Sequence, residues 1–127
     1  MIERLFPAGV PIPKNPYSPA VKAGGFIFVS GQIPMDATSL EMSYGDIEHE
    51  TRLTLGNIQR ILEGSGAGMD NVVKVNVYLA SEADFAKMNA VYIEFFGKDR
   101  PARTTIGCKF ANPTMKVEID CIAYVGG

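Results

Sequence analysis

Val72-Val73-Lys74-Val75-Asn76-Val77-Tyr78-Leu79 alternates with a period of two: Val73, Val75, Val77 and Leu79 share one face, Lys74, Asn76 and Tyr78 the other. Such a period belongs to a half-buried β-strand. Helical patterns flank it. Upstream, Asp46 can cap a helix that runs to about Gly64, where Gly64, Gly66 and Gly68 stop it; Thr51, Leu55, Ile58 and Leu62 form its inward stripe. Downstream, Ser81 caps a second helix ending near Phe96, with Gly97 as its stop and Phe85, Met88, Tyr92 and Phe95 as its buried stripe. Before the first helix, Gly24-Gly25 signals a turn and Phe26-Ile27-Phe28-Val29 a short strand that ends at Ser30-Gly31; a weaker strand lies around Ile2 to Phe6. After the second helix, strands are expected over about 102–109 and 116–125, joined by Ala111-Asn112-Pro113-Thr114-Met115. The order ββαβαββ is an α+β pattern, a sheet with two helices on one side.

The last strand says more. Val117, Ile119, Cys121 and Ala123 suit the helix-covered face, whereas Glu118, Asp120, Ile122 and Tyr124 point away. That second face is neither fully polar nor fully apolar, so it is expected to meet other subunits.

The 127 residues form one domain, 46% apolar and 20% charged, an ordinary globular composition able to bury a core. Twelve basic residues against 14 acidic, with no basic run, argue against a broad phosphate-binding face. No apolar stretch approaches the ~20 residues that span a bilayer, and the N-terminus lacks a signal-peptide pattern. The proline-rich first 25 residues read as an ordered, extended surface segment. Cys108 and Cys121 are too few for a disulfide scaffold, so a reducing compartment, the cytosol, is the expected address.

Chemistry concentrates in Arg100-Pro101-Ala102-Arg103-Thr104-Thr105 and Lys116-Val117-Glu118-Ile119-Asp120. Arg103 offers a planar, permanently charged fork that suits a carboxylate. Glu118 offers a carboxylate that can direct a water. Alone, each reads as a solvated strand residue or a surface ion-pair partner. Cys108 and Cys121 read as small buried hydrophobes rather than nucleophiles. His49, the single histidine, reads as exposed between Glu48 and Glu50, and neither a zinc site nor a catalytic triad can be assembled around it. A simple hairpin about the 111–115 loop would set Arg103 opposite about Tyr124 and Glu118 opposite Cys108. At ~3.3 Å per residue that leaves them roughly 15 Å apart. Either an irregular register joins them, or one acts from a neighbouring chain.

Asn15-Pro16-Tyr17-Ser18, Phe28-Val29-Ser30-Gly31-Gln32-Ile33-Pro34, Met88-Asn89-Ala90-Val91-Tyr92, Pro101-Ala102-Arg103 and Val117-Glu118-Ile119, in this order and spacing, give the chain its likeness to a family. It resembles the RidA/YjgF family of reactive-intermediate deaminases over nearly its whole length. The resemblance implies a chorismate-mutase-like fold, a homotrimeric barrel with clefts between subunits, and hydrolysis of 2-iminopropanoate or 2-iminobutanoate to the 2-keto acid and ammonia. It implies that Arg103 grips the substrate carboxylate, that Glu118 positions or activates the water, and that Tyr17, Ser30, Gly31 and Asn89 line the cleft. Many members carry Cys where this chain has Thr105, which leaves Thr105 to serve the ligand through its backbone. The chemistry calls for no metal and no organic cofactor. Other readings of the same residues are a keto-acid or amino-acid binding regulator, an endoribonuclease or translation inhibitor, and a pathway-specific deaminase such as one acting on aminomuconate. The acidic balance disfavours a nucleic-acid partner.

Overall fold

The computed structural model describes residues 1–126. Its elements are β1 (Ile2–Leu5), β2 (Ala20–Ala23), β3 (Phe26–Gln32), α1 (Ile47–Gly64), β4 (Val72–Leu79), α2 (Phe85–Phe95), β5 (Ala102–Gly107) and β6 (Val117–Tyr124). They form an α+β molecule with one six-stranded mixed sheet, ordered β1-β2-β3-β6-β4-β5. β2 is a strand that periodicity does not announce. It is only Ala20-Val21-Lys22-Ala23, directly after a proline, and it is held by register: Ala20 pairs with Val29 and Ala23 with Phe26 across the Gly24-Gly25 turn. Gly24 takes φ +60°, a value at which a side chain would be strained.

The expected hairpin of the last two strands does not form. β5 pairs with β4 in parallel, Arg103 beside Val75, while β6 lies between β3 and β4 and runs antiparallel to both. The physical reason is α2, which carries the chain over the sheet and returns it in the direction of β4, as a strand–helix–strand crossover does. β5 therefore becomes the edge strand, and the loop after it crosses the end of β4, where Cys108 N donates to Leu79 O (2.9 Å) and Ala80 N to Lys116 O (3.0 Å).

Both helices cover one face. Val75, Val77, Leu79, Val117, Ile119, Cys121 and Ala123 are buried there against Leu55, Ile58 and Leu62 of α1 and Met88 and Tyr92 of α2. Val73 departs from the expected alternation. A bulge between Val72 and Lys74 puts Val72 into the core and leaves Val73 43% exposed. Phe85 also departs: it opens α2, at 44% exposure, and Val91 takes the buried place instead. Ser81 caps a short 3₁₀ turn, Glu82–Asp84, which leads into the helix.

Glu50 of α1 is fully buried and accepts from Gly45 N (3.2 Å), Lys116 N (2.8 Å) and Lys116 Nζ (3.4 Å). It ties the helix to the start of β6. The far face of the sheet is uncovered and mixed, as the sequence leads one to expect. Phe26, Phe28 and Tyr124 cluster there in the open, with the Phe26 and Tyr124 rings 5.0 Å apart.

Candidate functional site

The residues singled out in the sequence fall into two groups. In the first, Arg103 projects from edge strand β5 to the helix-covered side and meets α2. Its Nη1 donates to Asn89 Oδ1 (2.7 Å), and its guanidinium carbon lies 4.7 Å from the centre of the Tyr92 ring and 5.6 Å from that of Phe85. Phe85, Asn89 and Tyr92 recur at helical spacing, so one stripe of α2 presents all three. Two aromatic faces and a neutral amide hold the charge without cancelling it. Among the described residues Arg103 meets no carboxylate. It opens on a cleft of about 300 Å³ lined by Asn89, Tyr92, Ile93, Arg100, Pro101 and Arg103. Among the described residues the Tyr92 hydroxyl is buried without a hydrogen-bond partner, and so is that of Thr105, the next inward residue of β5. Burial pushes the Tyr92 hydroxyl above its ordinary pKa, and the Arg103 charge opposes that rise.

The second group lies on the uncovered face. Glu118 is half-buried against Gly31, and a Cβ at position 31 would collide with its carboxylate. Here a glycine permits the close approach. The β3 bulge between Val29 and Gln32 sets Gly31 there. Ser30 ties the same corner to the segment that carries Tyr17: its Oγ donates to Ser18 O (2.6 Å), and its N to Pro19 O (3.0 Å). Tyr17 itself is exposed. Burial raises the Glu118 pKa first, and the neighbouring Asp120 charge raises it further. Asp120 is in turn held by Asn76 Nδ2 (2.8 Å) and the Tyr78 hydroxyl (3.0 Å).

Within one chain these groups do not meet. Arg103 aligns through Val75 with Cys121, while Glu118 aligns with Tyr78, three residues further along and on the other face. β4 stands between their strands, so the strand axes are ~10 Å apart before the sheet's own thickness is added. The notion of two adjacent strands sharing one small ligand fails for a single chain.

Sequence reasoning did not assign the Phe85–Tyr92 clamp to Arg103, nor the Asn76–Asp120–Tyr78 network. Both were within reach of helical spacing and strand alternation. A larger hollow, about 650 Å³, lies at the start of α1 beside Asp46, Glu48, His49, Arg52 and Leu53. It is a weaker candidate, because Arg52 and Asp46 are engaged locally, although among the described residues Glu48 Oε1 is buried without a hydrogen-bond partner. Arg52 bridges to Glu94 (2.7 Å) and Asp46 accepts from His49 N as the helix cap. His49 is half-buried rather than exposed, its Nε2 2.9 Å from Ser43 Oγ. Cys121 is buried and its thiol pushed up to about 12 by burial and by Asp120, whereas Cys108 is only half-buried. Among the described residues no group of three or more His, Cys, Asp or Glu could hold a metal ion, and no helix is long and apolar enough to cross a membrane.

Residues 9–125 match the family model described as Endoribonuclease L-PSP. A RutC family protein of Pyrococcus horikoshii is 46% identical over 124 residues, 98% of both chains. The protein named 3-aminoacrylate deaminase RutC from Acinetobacter baylyi is 35% identical over 123 residues, 97% of this chain and 98% of that one. Among solved structures, YyfA of Yersinia pestis, described as a member of the conserved Rid protein family, superposes with a TM-score of 0.92 at 30% identity, over 98% of this chain and 100% of that one. With sheet order, two-helix layer and near-full-length matches in agreement, the chain belongs to the endoribonuclease L-PSP family, the RidA/YjgF proteins.

Proposed function

We propose that the protein is a hydrolytic deaminase of small 2-imino acids such as 2-iminopropanoate and 2-iminobutanoate, working in clefts between the subunits of a homotrimer. The observation that carries this reading is the placement of an unpaired, aromatically clamped Arg103 and a half-buried Glu118 on opposite faces of the sheet. Apart, neither group does chemistry. Facing each other across two chains, they make a carboxylate anchor and a water-directing base. The relative named as a deaminase of 3-aminoacrylate, the enamine tautomer of a 3-imino acid, supports the broader reaction class, hydrolytic deamination of a small enamine or imine acid.

In that cleft Arg103 holds the substrate carboxylate in two parallel hydrogen bonds, with Asn89 setting the plane of the fork. Water adds to the iminium carbon as the C=N pair moves to nitrogen, and Glu118 takes the proton released by the water. Glu118 then returns this proton to the amine. The C–N bond breaks, the remaining hydroxyl becomes the keto oxygen, and its proton leaves with ammonia as ammonium. A carboxylate whose pKa is raised takes up and gives back a proton more readily near neutral pH than an ordinary glutamate does. The free cysteines suit a reducing compartment, and the proposal places the protein in the cytoplasm.

The test is ammonia release from 2-iminobutanoate generated in situ. Wild-type protein should accelerate it, Arg103→Ala should abolish the acceleration, and Glu118→Gln should lower the rate by ~10²- to 10⁴-fold. A wild-type protein that leaves the spontaneous rate unchanged refutes the proposal. Keto-acid binding that survives in Glu118→Gln separates catalysis from mere ligand sensing. Binding without turnover in the wild type would instead favour a regulator.

A further inference from the structure

The cleft at Arg103 carries a second guanidinium that a monoanionic substrate leaves idle. Of its six lining residues two are arginines and none is acidic. Arg100 sits at the exposed mouth, with Nε donating to Gly97 O (3.2 Å), a bond that steadies the side chain and leaves its terminal nitrogens free. Among the described residues neither arginine forms an ion pair, although Asp99 is the neighbour of Arg100 in sequence. Ile93 and Pro101 line the same cleft with apolar surface, and a buried Tyr92 hydroxyl there has no partner. Two unpaired cations around about 300 Å³ repel one another and attract anionic charge.

Resting on the deaminase reading above, we propose that Arg100 is a specificity-determining residue that selects 2-imino acids bearing a second carboxylate, the imino derivatives of short acidic amino acids. The half-buried Arg103 takes the carboxylate next to the imine carbon. The short methylene spacer lies along Ile93 and Pro101, and the distal acid reaches Arg100 at the mouth. The charge-assisted contact at the mouth strengthens the dicarboxylate alone, because a methyl or ethyl side chain offers Arg100 nothing to bind.

Calorimetric binding of the stable keto acids 2-oxoglutarate and 2-oxobutanoate tests this without turnover. Wild-type protein should prefer 2-oxoglutarate by about tenfold or more, as expected of one added hydrogen-bonded charge pair. Arg100→Gln should bring that ratio close to one through loss of dicarboxylate affinity, and raised salt should erode it in the wild type. Arg103→Gln should weaken both ligands. A wild-type ratio near one, or a ratio that Arg100→Gln leaves intact, overturns the proposal. Deaminase failure is read separately: a tenfold preference that depends on Arg100, in a protein that accelerates no imine hydrolysis, sinks the catalytic reading and keeps the dicarboxylate anchor.

Discussion

Glu118 and Asp120 stand side by side on the uncovered face of β6, and the first cannot be understood without the second. Asn76 and Tyr78 hold Asp120 as a stationary anion two residues from the catalytic candidate. Burial and that anion together make the ionised form of Glu118 costlier than in an unfolded chain. The sign follows from linkage. Below the ordinary glutamate pKa of 4.5 the group is protonated whether folded or not, and it costs nothing. As pH rises through the elevated folded value, the unfolded chain has already released its proton, and the fold loses stability. Glu118→Gln should therefore melt higher than wild type at neutral pH and show no such gain below about pH 4.5, in thermal scans across that range. Asp120→Asn removes one of the two causes, so the acidic limb of the pH–rate profile should move to lower pH. A limb that stays in place would mean that burial alone governs Glu118.

Among the elements, α1 packs on β6 through apolar side chains, and one buried carboxylate, Glu50, adds a polar tie to Lys116 at the start of that strand. Replacing Glu50 by Ala strands the amides of Gly45 and Lys116, each a half-buried donor that costs up to ~1–3 kcal/mol when unpaired, and opens a cavity besides. Urea unfolding should show a loss of that order, smaller for Glu50→Gln, which keeps an acceptor in place. Such side-chain ties were not legible in the sequence. A glutamate between His49 and Thr51 on a helix reads as solvated, and only the path of the 108–116 loop over β4 brings Lys116 to it. What periodicity could supply, it supplied: β4, both helices and the two faces of β6 stand where alternation and helical spacing put them, with Val73 and Phe85 as the exceptions. It could not supply strand order. The parallel pairing of β5 with β4 depends on how α2 crosses the sheet, and no local pattern within 102–107 records its neighbour. β2 was hidden for another reason. Two alanines in four residues carry little strand preference, and the strand is held by pairing to its neighbours. At the site, Arg103, Asn89, Gly31 and Glu118 were visible through family likeness, whereas their division between two faces is a matter of sheet geometry.

At the scale of the whole molecule the uncovered face is the feature that calls for a partner surface. Phe26, Phe28 and Tyr124 are each more than 40% exposed on it, beside the polar set of Asn76, Tyr78, Glu118 and Asp120. That is a poor surface to leave in water and a good one to press against another chain. Phe28→Asp should lower the mass seen by light scattering toward that of one chain, 13.8 kDa, and abolish imine hydrolysis with it. A variant that stays assembled and active would place the contact elsewhere.

The six-stranded sheet acts as a wall between the proposed anchor and the proposed base, and a wall has a genetic corollary. Chains damaged only on one side should rescue chains damaged only on the other. Arg103→Ala and Glu118→Gln proteins, each inert alone, should recover activity when unfolded together and refolded as a mixture. Random assortment around the proposed ring would leave roughly a quarter of the junctions with both site residues whole.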